Sequence, residues 1–196
     1  MYGGSIHFLN FVKNSKRVMA RISYVNEISH PELQEVIQVI REQRRGKLIP
    51  VYGLLLHSPE VAKTWMELLN AVRWKTTLSS RIREIAIIRV AVLNHCRYVI
   101  DVHLANFAKQ DGLTDEECLA LLKTKVTNDV FSESDLAIIH YVDTLTMTAN
   151  VEEAVFKKVK EFMNERAIVE ISVLVGTYNM HTRVFNALQI DPEDSK

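Results

Sequence analysis

The chain has 196 residues, of which 47% are hydrophobic, and its 24 basic and 24 acidic residues give a formal net charge of zero. This length and hydrophobic content are typical of one domain with a sizeable core. The balanced charge argues against sequence-independent binding to nucleic acid or anionic lipid, and no segment reaches the roughly 20 apolar residues of a membrane span. We therefore expect neither a nucleic acid nor a membrane as partner.

Cysteine usage and the N-terminal residues predict a cytoplasmic location. Cys96 and Cys118 are too few for a disulfide scaffold in a chain of this length, which indicates a reducing environment. The N-terminal residues lack the continuous apolar core and the small-residue cleavage site of a signal peptide. We expect a partly loose N-terminal extension over residues 1–28, a helical domain over 29–190 and a C-terminal tail over 191–196.

The first half of the chain carries helix signals in sequence. Pro31 opens a helix after a Ser-His pair, and Arg45-Gly46 ends it. Pro50 marks either a second break or the entry to a short helix, and Ser58-Pro59 opens a further helix with apolar residues at helical spacing. The basic cluster of this region is predicted to be a solvated face and turn, because Glu, Gln and Gly residues interrupt it. Its members are Arg41, Arg44, Arg45 and Lys47.

The second half of the chain predicts further helices. Ser79 caps a helix that runs to about Leu93, where Asn94 and His95 interrupt the apolar run and mark a boundary. The next helix is expected over about 95–110. Thr114 begins a capping box, and the remaining helices are predicted over 136–147, 151–164 and 166–188. The scarcity of Gly and Pro and the lack of hairpin signals predict an all-α, single-domain multi-helix bundle.

A weak internal repeat runs through these helices. Aligning Glu84 with Glu170 also superposes His95 on His181 and places a threonine opposite Cys96. A duplicated helical hairpin would explain the match, and chance over so short a window would explain it equally. If the repeat is real, the chemistry belongs to the first copy and packing to the second.

Three polar residues in an apolar, helix-patterned stretch form the candidate site: Glu84, Cys96 and His103. Such groups are costly to bury without partners. Cys96 and His103 are seven residues apart and share a helix face, and a first-turn Cys96 would have its thiolate favoured by unpaired amides. If the chain folds back at Asn94, Glu84 reaches His103 and fixes its tautomer. The alternative is structural: a packed thiol, a satisfied imidazole and a carboxylate paired with a neighbouring arginine.

No metal site is predicted from these residues. A metal-binding CxxC or HExxH pair is missing, and two ligands on one helix do not complete a coordination shell.

Three stretches carry a family resemblance. They comprise residues 45–48 with 54–60, residues 78–91 with Asn94-His95-Cys96-Arg97-Tyr98 and His103, and residues 176–180 with Arg183 and Asn186-Ala187-Leu188. In these stretches the chain resembles the carboxymuconolactone decarboxylase and alkylhydroperoxidase D-like superfamily. The resemblance implies an all-α fold, assembly into trimers or hexamers, and chemistry without a cofactor.

The two branches of that superfamily differ at one position. The peroxidase branch has Glu, then Cys-x-x-Cys, then His, and this chain matches with Glu84, Cys96 and His103 but has Val99 in place of the second cysteine. The decarboxylase-like branch often has Tyr-Glu-Trp before its His, of which only Tyr98 is present. Since valine cannot resolve a sulfenic acid into a disulfide, a two-cysteine peroxidase cycle is not expected.

The resemblance implies three candidate functions. The first is a cofactor-free enzyme that acts on a small organic acid or lactone by general acid/base proton transfer. Glu84 and His103 move the proton, and Cys96 lies in the pocket. The substrate contacts are expected from four residues: Arg89, Arg97, Tyr98 and Val99. The second is a one-cysteine alkylhydroperoxidase that uses Cys96 and an external thiol reductant. The third is a non-catalytic oligomeric binding protein.

Overall fold

The structure, a computed structural model, describes residues 20–127 and 130–191. Within these ranges the chain is all-helical without a strand, which confirms the predicted fold class. A short 3-10 helix, Pro31–Leu33, precedes nine α-helices of the described chain: α1 Gln34–Gln43, α2 Pro50–Leu55, α3 Pro59–Trp74, α4 Ser80–Leu93, α5 Arg97–Asn106, α6 Asp115–Leu121, α7 Glu133–Thr148, α8 Glu153–Lys160 and α9 Glu165–Leu188. None of the described helices is both long and apolar enough to span a bilayer.

Side-chain caps set the starts of several of these helices, including the predicted starts at Ser79 and Thr114. The Ser79 hydroxyl accepts a hydrogen bond from the Ile82 amide at 3.2 Å. Thr114 and Glu117 form a reciprocal capping box at the start of α6, and Ser132 caps α7. Each cap satisfies an amide that has no partner inside its helix. These starts therefore depend on residues that lie next to each other in sequence.

Helix α4 is the central element of the core. Its residues 83–91 are all buried, and it packs against α5, α7 and α9. A helix buried on every side belongs to the interior of a domain. Three charged side chains nevertheless lie within this stretch, so each requires a partner that offsets the cost of burial. They are Arg83, Glu84 and Arg89.

The chain folds back between α4 and α5, at the predicted boundary. His95 adopts a left-handed conformation with φ 54°, and the Cys96 amide donates to the Ala91 carbonyl at 2.8 Å. Helix α9 holds this turn, since the Asn186 side-chain amide donates to the Asn94 carbonyl at 2.6 Å. Cys96 is consequently the residue that precedes α5, and α5 lies back against α4.

Residues 20–28 of the predicted N-terminal extension pack onto the domain. The Arg21 amide donates to the Leu188 carbonyl at 2.9 Å, and the Val25 amide donates to the Gly53 carbonyl at 2.8 Å. The Val25 side chain is buried in the core. This part therefore belongs to the folded domain. The remainder of the predicted extension, residues 1–19, and residues 192–196 of the predicted tail lie outside the described residues.

The predicted internal repeat has no structural counterpart as a hairpin. The first copy breaks at residues 94–96, whereas α9 continues without interruption through the corresponding positions. Met180 stands where the first copy has Asn94. Methionine is a good helix former, and asparagine favours helix ends. The second copy is therefore one continuous helix.

Candidate functional site

A buried carboxylate–imidazole pair joins α4 to α5. His103 Nδ1 lies 2.6 Å from Glu84 Oε2, with both side chains buried. A carboxylate only accepts hydrogen bonds, so Nδ1 carries the proton and Nε2 holds the lone pair. The structure thus brings together the two residues whose meeting the sequence made conditional on a turn at Asn94.

Burial sets the protonation state of His103. It lowers the pKa of His103 below the ordinary value for histidine, and the nearby Arg73 cation acts in the same direction, against the opposing effect of Glu84. The ring is therefore neutral near pH 7. Within the described residues, no hydrogen bond reaches its Nε2. This nitrogen is available to take up a proton and to deliver it.

Arg73, from α3, places a positive charge beside the pair. Its Nη2 lies 3.9 Å from Glu84 Oε1, beyond hydrogen-bond distance, and among the described residues its Nε and Nη2 have no hydrogen-bond partner. The guanidinium stacks over the rings of Trp74 and Phe107, each 4.6 Å from its carbon. The aromatic rings fix the cation while leaving part of its hydrogen-bonding capacity unused. No signal in the sequence singles out Arg73 for this position.

His103 of this pair lines a cavity of about 430 Å³, whose wall is formed by residues of α2, α3, α5, α9 and the segment between α1 and α2. Four cationic residues also line it, whereas no Asp or Glu does so among the described residues: Arg44, Arg45, Lys47 and Arg73. A cavity with cations and without carboxylates attracts anions.

The prediction for the basic cluster was incomplete. Arg45 and Lys47 are exposed at the turn after α1, as predicted, but together with Arg44 they also line the cavity. Arg41 behaves as predicted, since it is half-exposed and pairs with Glu27 at 2.6 Å. The difference arises because the segment between α1 and α2 packs near α3 and α5, which sequence spacing does not reveal.

A second histidine, His181 from α9, lines the same cavity. The Trp65 indole N–H donates to His181 Nδ1 at 3.1 Å. Burial, together with the nearby His103 and Arg73, lowers the pKa of His181 to about 3. In the sequence its one signal was the alignment of His181 with His95, and the weak repeat, if real, would have assigned this copy to packing. His95 itself is exposed in the turn before α5.

Two of the four predicted substrate-binding residues line the cavity. Tyr98 and Val99 contribute to its wall, and both are buried. The Tyr98 ring packs edge-on against Phe185 with centroids 5.5 Å apart. Val99 forms an apolar part of the wall at the position where the peroxidase branch has its second cysteine.

The prediction was wrong for the other two binding residues, because neither Arg89 nor Arg97 lines the cavity. Arg89 is fully buried, and its guanidinium donates to both carboxylate oxygens of Asp143, at 2.9 and 2.7 Å, and to the Leu121 carbonyl at 2.6 Å. It follows Glu84 by five residues, which rotates it to a different side of α4. Arg97 is exposed and donates to Asp101 at 2.7 Å. Both arginines have structural ion pairs instead of cavity positions.

Cys96 does not line the cavity either. Its side chain is buried, and burial raises the pKa of its thiol to about 11 despite nearby backbone amides. The predicted stabilisation of the thiolate was therefore wrong, because loss of hydration outweighs the helix start. Both cysteines are free thiols. In the described part of the chain, no group of three or more His, Cys, Asp or Glu side chains is placed to hold a metal ion.

Comparison with known proteins places this site in a family context. The carboxymuconolactone decarboxylase family matches residues 59–128, a segment that contains both Glu84 and His103. The uncharacterized protein YdfG of Bacillus subtilis is 23% identical over 133 residues, which are 67% of this chain and 88% of YdfG.

Solved structures share the fold. An uncharacterized peroxidase-related protein from Ralstonia eutropha, described as an alkylhydroperoxidase AhpD core, superposes with a TM-score of 0.70 at 17% identity, over 91% of this chain and 94% of the other. The debrominase Bmp8 in complex with 2,3,4-tribromopyrrole gives a TM-score of 0.72 at 14% identity, over 92% and 97% of the two chains. The matched structures thus include a debrominase and a peroxidase-related protein on one helical scaffold.

Proposed function

We propose that this chain, of which residues 59–128 match the carboxymuconolactone decarboxylase family, is a cofactor-free lyase of the carboxymuconolactone decarboxylase and alkylhydroperoxidase D-like superfamily that removes carbon dioxide from a small anionic acid or lactone. One observation carries the proposal: His103, hydrogen-bonded to the buried Glu84, lines a cavity whose wall has cationic residues and, among the described residues, no Asp or Glu. The pair supplies proton transfer, and the cations supply affinity for an anionic substrate.

The reaction divides into two steps. The bond to the substrate carboxylate breaks, carbon dioxide leaves, and the electron pair passes into the conjugated carbonyl to form an enolate. His103 Nε2 then delivers a proton, taken from solvent, to the enolate carbon. One proton enters the product for each carbon dioxide released. Glu84 holds the ring in the required tautomer and stabilises the imidazolium during the transfer.

The charges around His103 are suited to these steps. Because its pKa is lowered, the protonated ring is a stronger acid than an exposed imidazolium and gives up its proton readily. Arg73 and Arg44 attract the carboxylate in the ground state. The buried Tyr98 and Val99 limit water in the wall, which strengthens these electrostatic contacts.

Cys96 has no step in this reaction. Its raised thiol pKa and its position away from the cavity do not support a one-cysteine peroxidase cycle. The non-catalytic binding protein remains the alternative that experiment must separate from the lyase.

The experiment is a screen of γ-lactone carboxylic acids and β-keto acids for release of carbon dioxide in deuterated water, with mass analysis of the product. One deuterium per product molecule is expected. His103→Asn keeps a donor where Nδ1 bonds Glu84 and removes the atom at Nε2. We expect this variant to lose about 10²- to 10⁴-fold in turnover, which is the usual contribution of general acid/base catalysis.

Two further variants complete the design. Glu84→Gln still accepts the hydrogen bond but cannot stabilise an imidazolium, so we expect reduced turnover with the fold intact. His140→Asn is the control, because His140 is exposed on α7 and does not line the cavity. Full activity in His103→Asn would overturn the role of His103. Binding of these acids without turnover by the unaltered protein would favour the non-catalytic alternative.

A further inference from the structure

We infer that His181 is a second catalytic residue, whose Nε2–H donates a hydrogen bond to the enolate oxygen that forms as carbon dioxide leaves. The inference rests on the proposed function, because the enolate arises only in that reaction. In this arrangement His103 delivers the proton to the enolate carbon, and His181 stabilises the negative charge on the enolate oxygen.

The tautomer of His181 follows from its partner. An indole N–H can only donate a hydrogen bond, so His181 Nδ1, 3.1 Å from Trp65 Nε1, must accept. The single proton of the neutral ring is then on Nε2. His103 has the opposite arrangement, because its Nδ1 donates to Glu84. The two histidines therefore offer the cavity one accepting nitrogen and one donating nitrogen.

The environment keeps His181 neutral over the working pH range. The ring is buried, with Arg73 and His103 nearby, so a second proton on it is strongly disfavoured. A neutral imidazole still donates one hydrogen bond. Because it holds that proton tightly, it does not compete with His103 in transferring a proton to the substrate.

The position of His181 brings it to the same substrate. Both histidines line the cavity. The Tyr178 ring contacts both, with centroid separations of 5.8 Å to His103 and 5.3 Å to His181. Tyr178 and His181 are three residues apart and so lie on one face of α9. Within the described chain, no hydrogen bond occupies His181 Nε2, which leaves this donor available to a bound molecule.

Two amide substitutions separate the structural task of His181 from the catalytic one. In His181→Asn, the side-chain oxygen occupies the place of Nδ1 and can still accept from Trp65, but the donor at Nε2 is lost. In His181→Gln, the amide nitrogen occupies the place of Nε2 and can still donate, but the acceptor for Trp65 is lost. A purely structural role predicts that Gln is the more damaging change. An oxyanion-stabilising role predicts that Asn is.

The first test uses a phenolate as a stable substitute for the enolate. The probe is 4-hydroxy-3-nitrobenzoate, whose carboxylate suits the cationic residues of the cavity and whose phenolate absorbs visible light. We expect His181→Asn to weaken phenolate binding about tenfold and to raise the pKa of the bound phenol by about one unit, as for one charge-assisted hydrogen bond. His181→Gln should bind within about threefold of the unaltered protein.

The outcomes are decisive in both directions. Unchanged phenolate binding in His181→Asn would overturn the inference. Equal affinity of the unaltered protein for the phenolate and for 3-nitrobenzoate, which lacks the oxyanion, would overturn it as well. A ¹⁵N NMR measurement needs no variant: a proton on His181 Nε2 agrees with the inference, and one on Nδ1 contradicts it. If phenolate binding depends on His181 while no acid is decarboxylated, the proposed lyase function fails and the hydrogen-bond donor stands.

Discussion

Lowering the pH should reduce the free energy of unfolding of this protein, and the part of that reduction due to His181 can be measured separately. Burial lowers the pKa of His181 from 6.5 to about 3. At a pH between these two values, His181 is protonated in the unfolded chain but neutral in the folded chain. The stability that this group contributes is fully present above about pH 6.5 and is lost progressively as the pH falls toward about 3. His181→Asn keeps the acceptor for Trp65 but removes the titrating ring.

The size of the effect follows from linkage. Each pKa unit of difference between the folded and unfolded states corresponds to about 1.4 kcal/mol. Between about pH 7 and about pH 4, proton uptake by unfolded His181 therefore costs the native state about 3 kcal/mol. This is a large fraction of the total stability of about 5–15 kcal/mol that a natural domain has.

Urea denaturation at the two pH values measures this contribution. The free energy of unfolding of the unaltered protein should fall by about 3 kcal/mol more than that of His181→Asn. Carboxylates and other histidines titrate in both proteins and cancel in the difference. His140→Asn controls for the loss of an exposed imidazole. Equal losses in the unaltered protein and in His181→Asn would refute the argument that burial keeps His181 neutral.

Three further predictions concern residues around the cavity and in the core. Burial raises the pKa of the Cys96 thiol to about 11, so in a Cys118→Ser background this thiol should react slowly with a disulfide reagent at neutral pH and faster as the pH rises. Rapid stoichiometric oxidation of Cys96 by peroxide would contradict this prediction. Arg89→Met should lower the free energy of unfolding, measured in urea, by about 3–5 kcal/mol, because it leaves Asp143 and buried carbonyls without their hydrogen-bond donor. Arg97→Met removes only an exposed ion pair and should lower it by about 0.5 kcal/mol or less. Arg73→Gln should weaken binding of 4-hydroxy-3-nitrobenzoate about tenfold or more, with Arg73→Lys intermediate, and equal affinity in all three proteins would remove this residue from anion binding.

The sequence by itself determined the helices and the central pair of the site. Ser79 and Thr114 predicted helix starts because a cap acts within three residues of its own position. The break at Asn94 was readable for the same reason. Glu84 and His103 were identifiable because polar groups in an apolar, buried pattern require partners, and the resemblance to the superfamily supplied the same two residues.

Only the tertiary structure decided which other side chains share the cavity. Arg73 and His181 come from α3 and α9, far from His103 in sequence, and three residues of the basic cluster come from the segment between α1 and α2. Arg89 matched a plausible carboxylate-binding role by residue type, yet its side of α4 faces Asp143. The protonation of Cys96 and His181 likewise depended on burial and on neighbouring charges. A residue's hydration and electrostatic environment is set by contacts between distant parts of the chain, and local spacing does not encode those contacts.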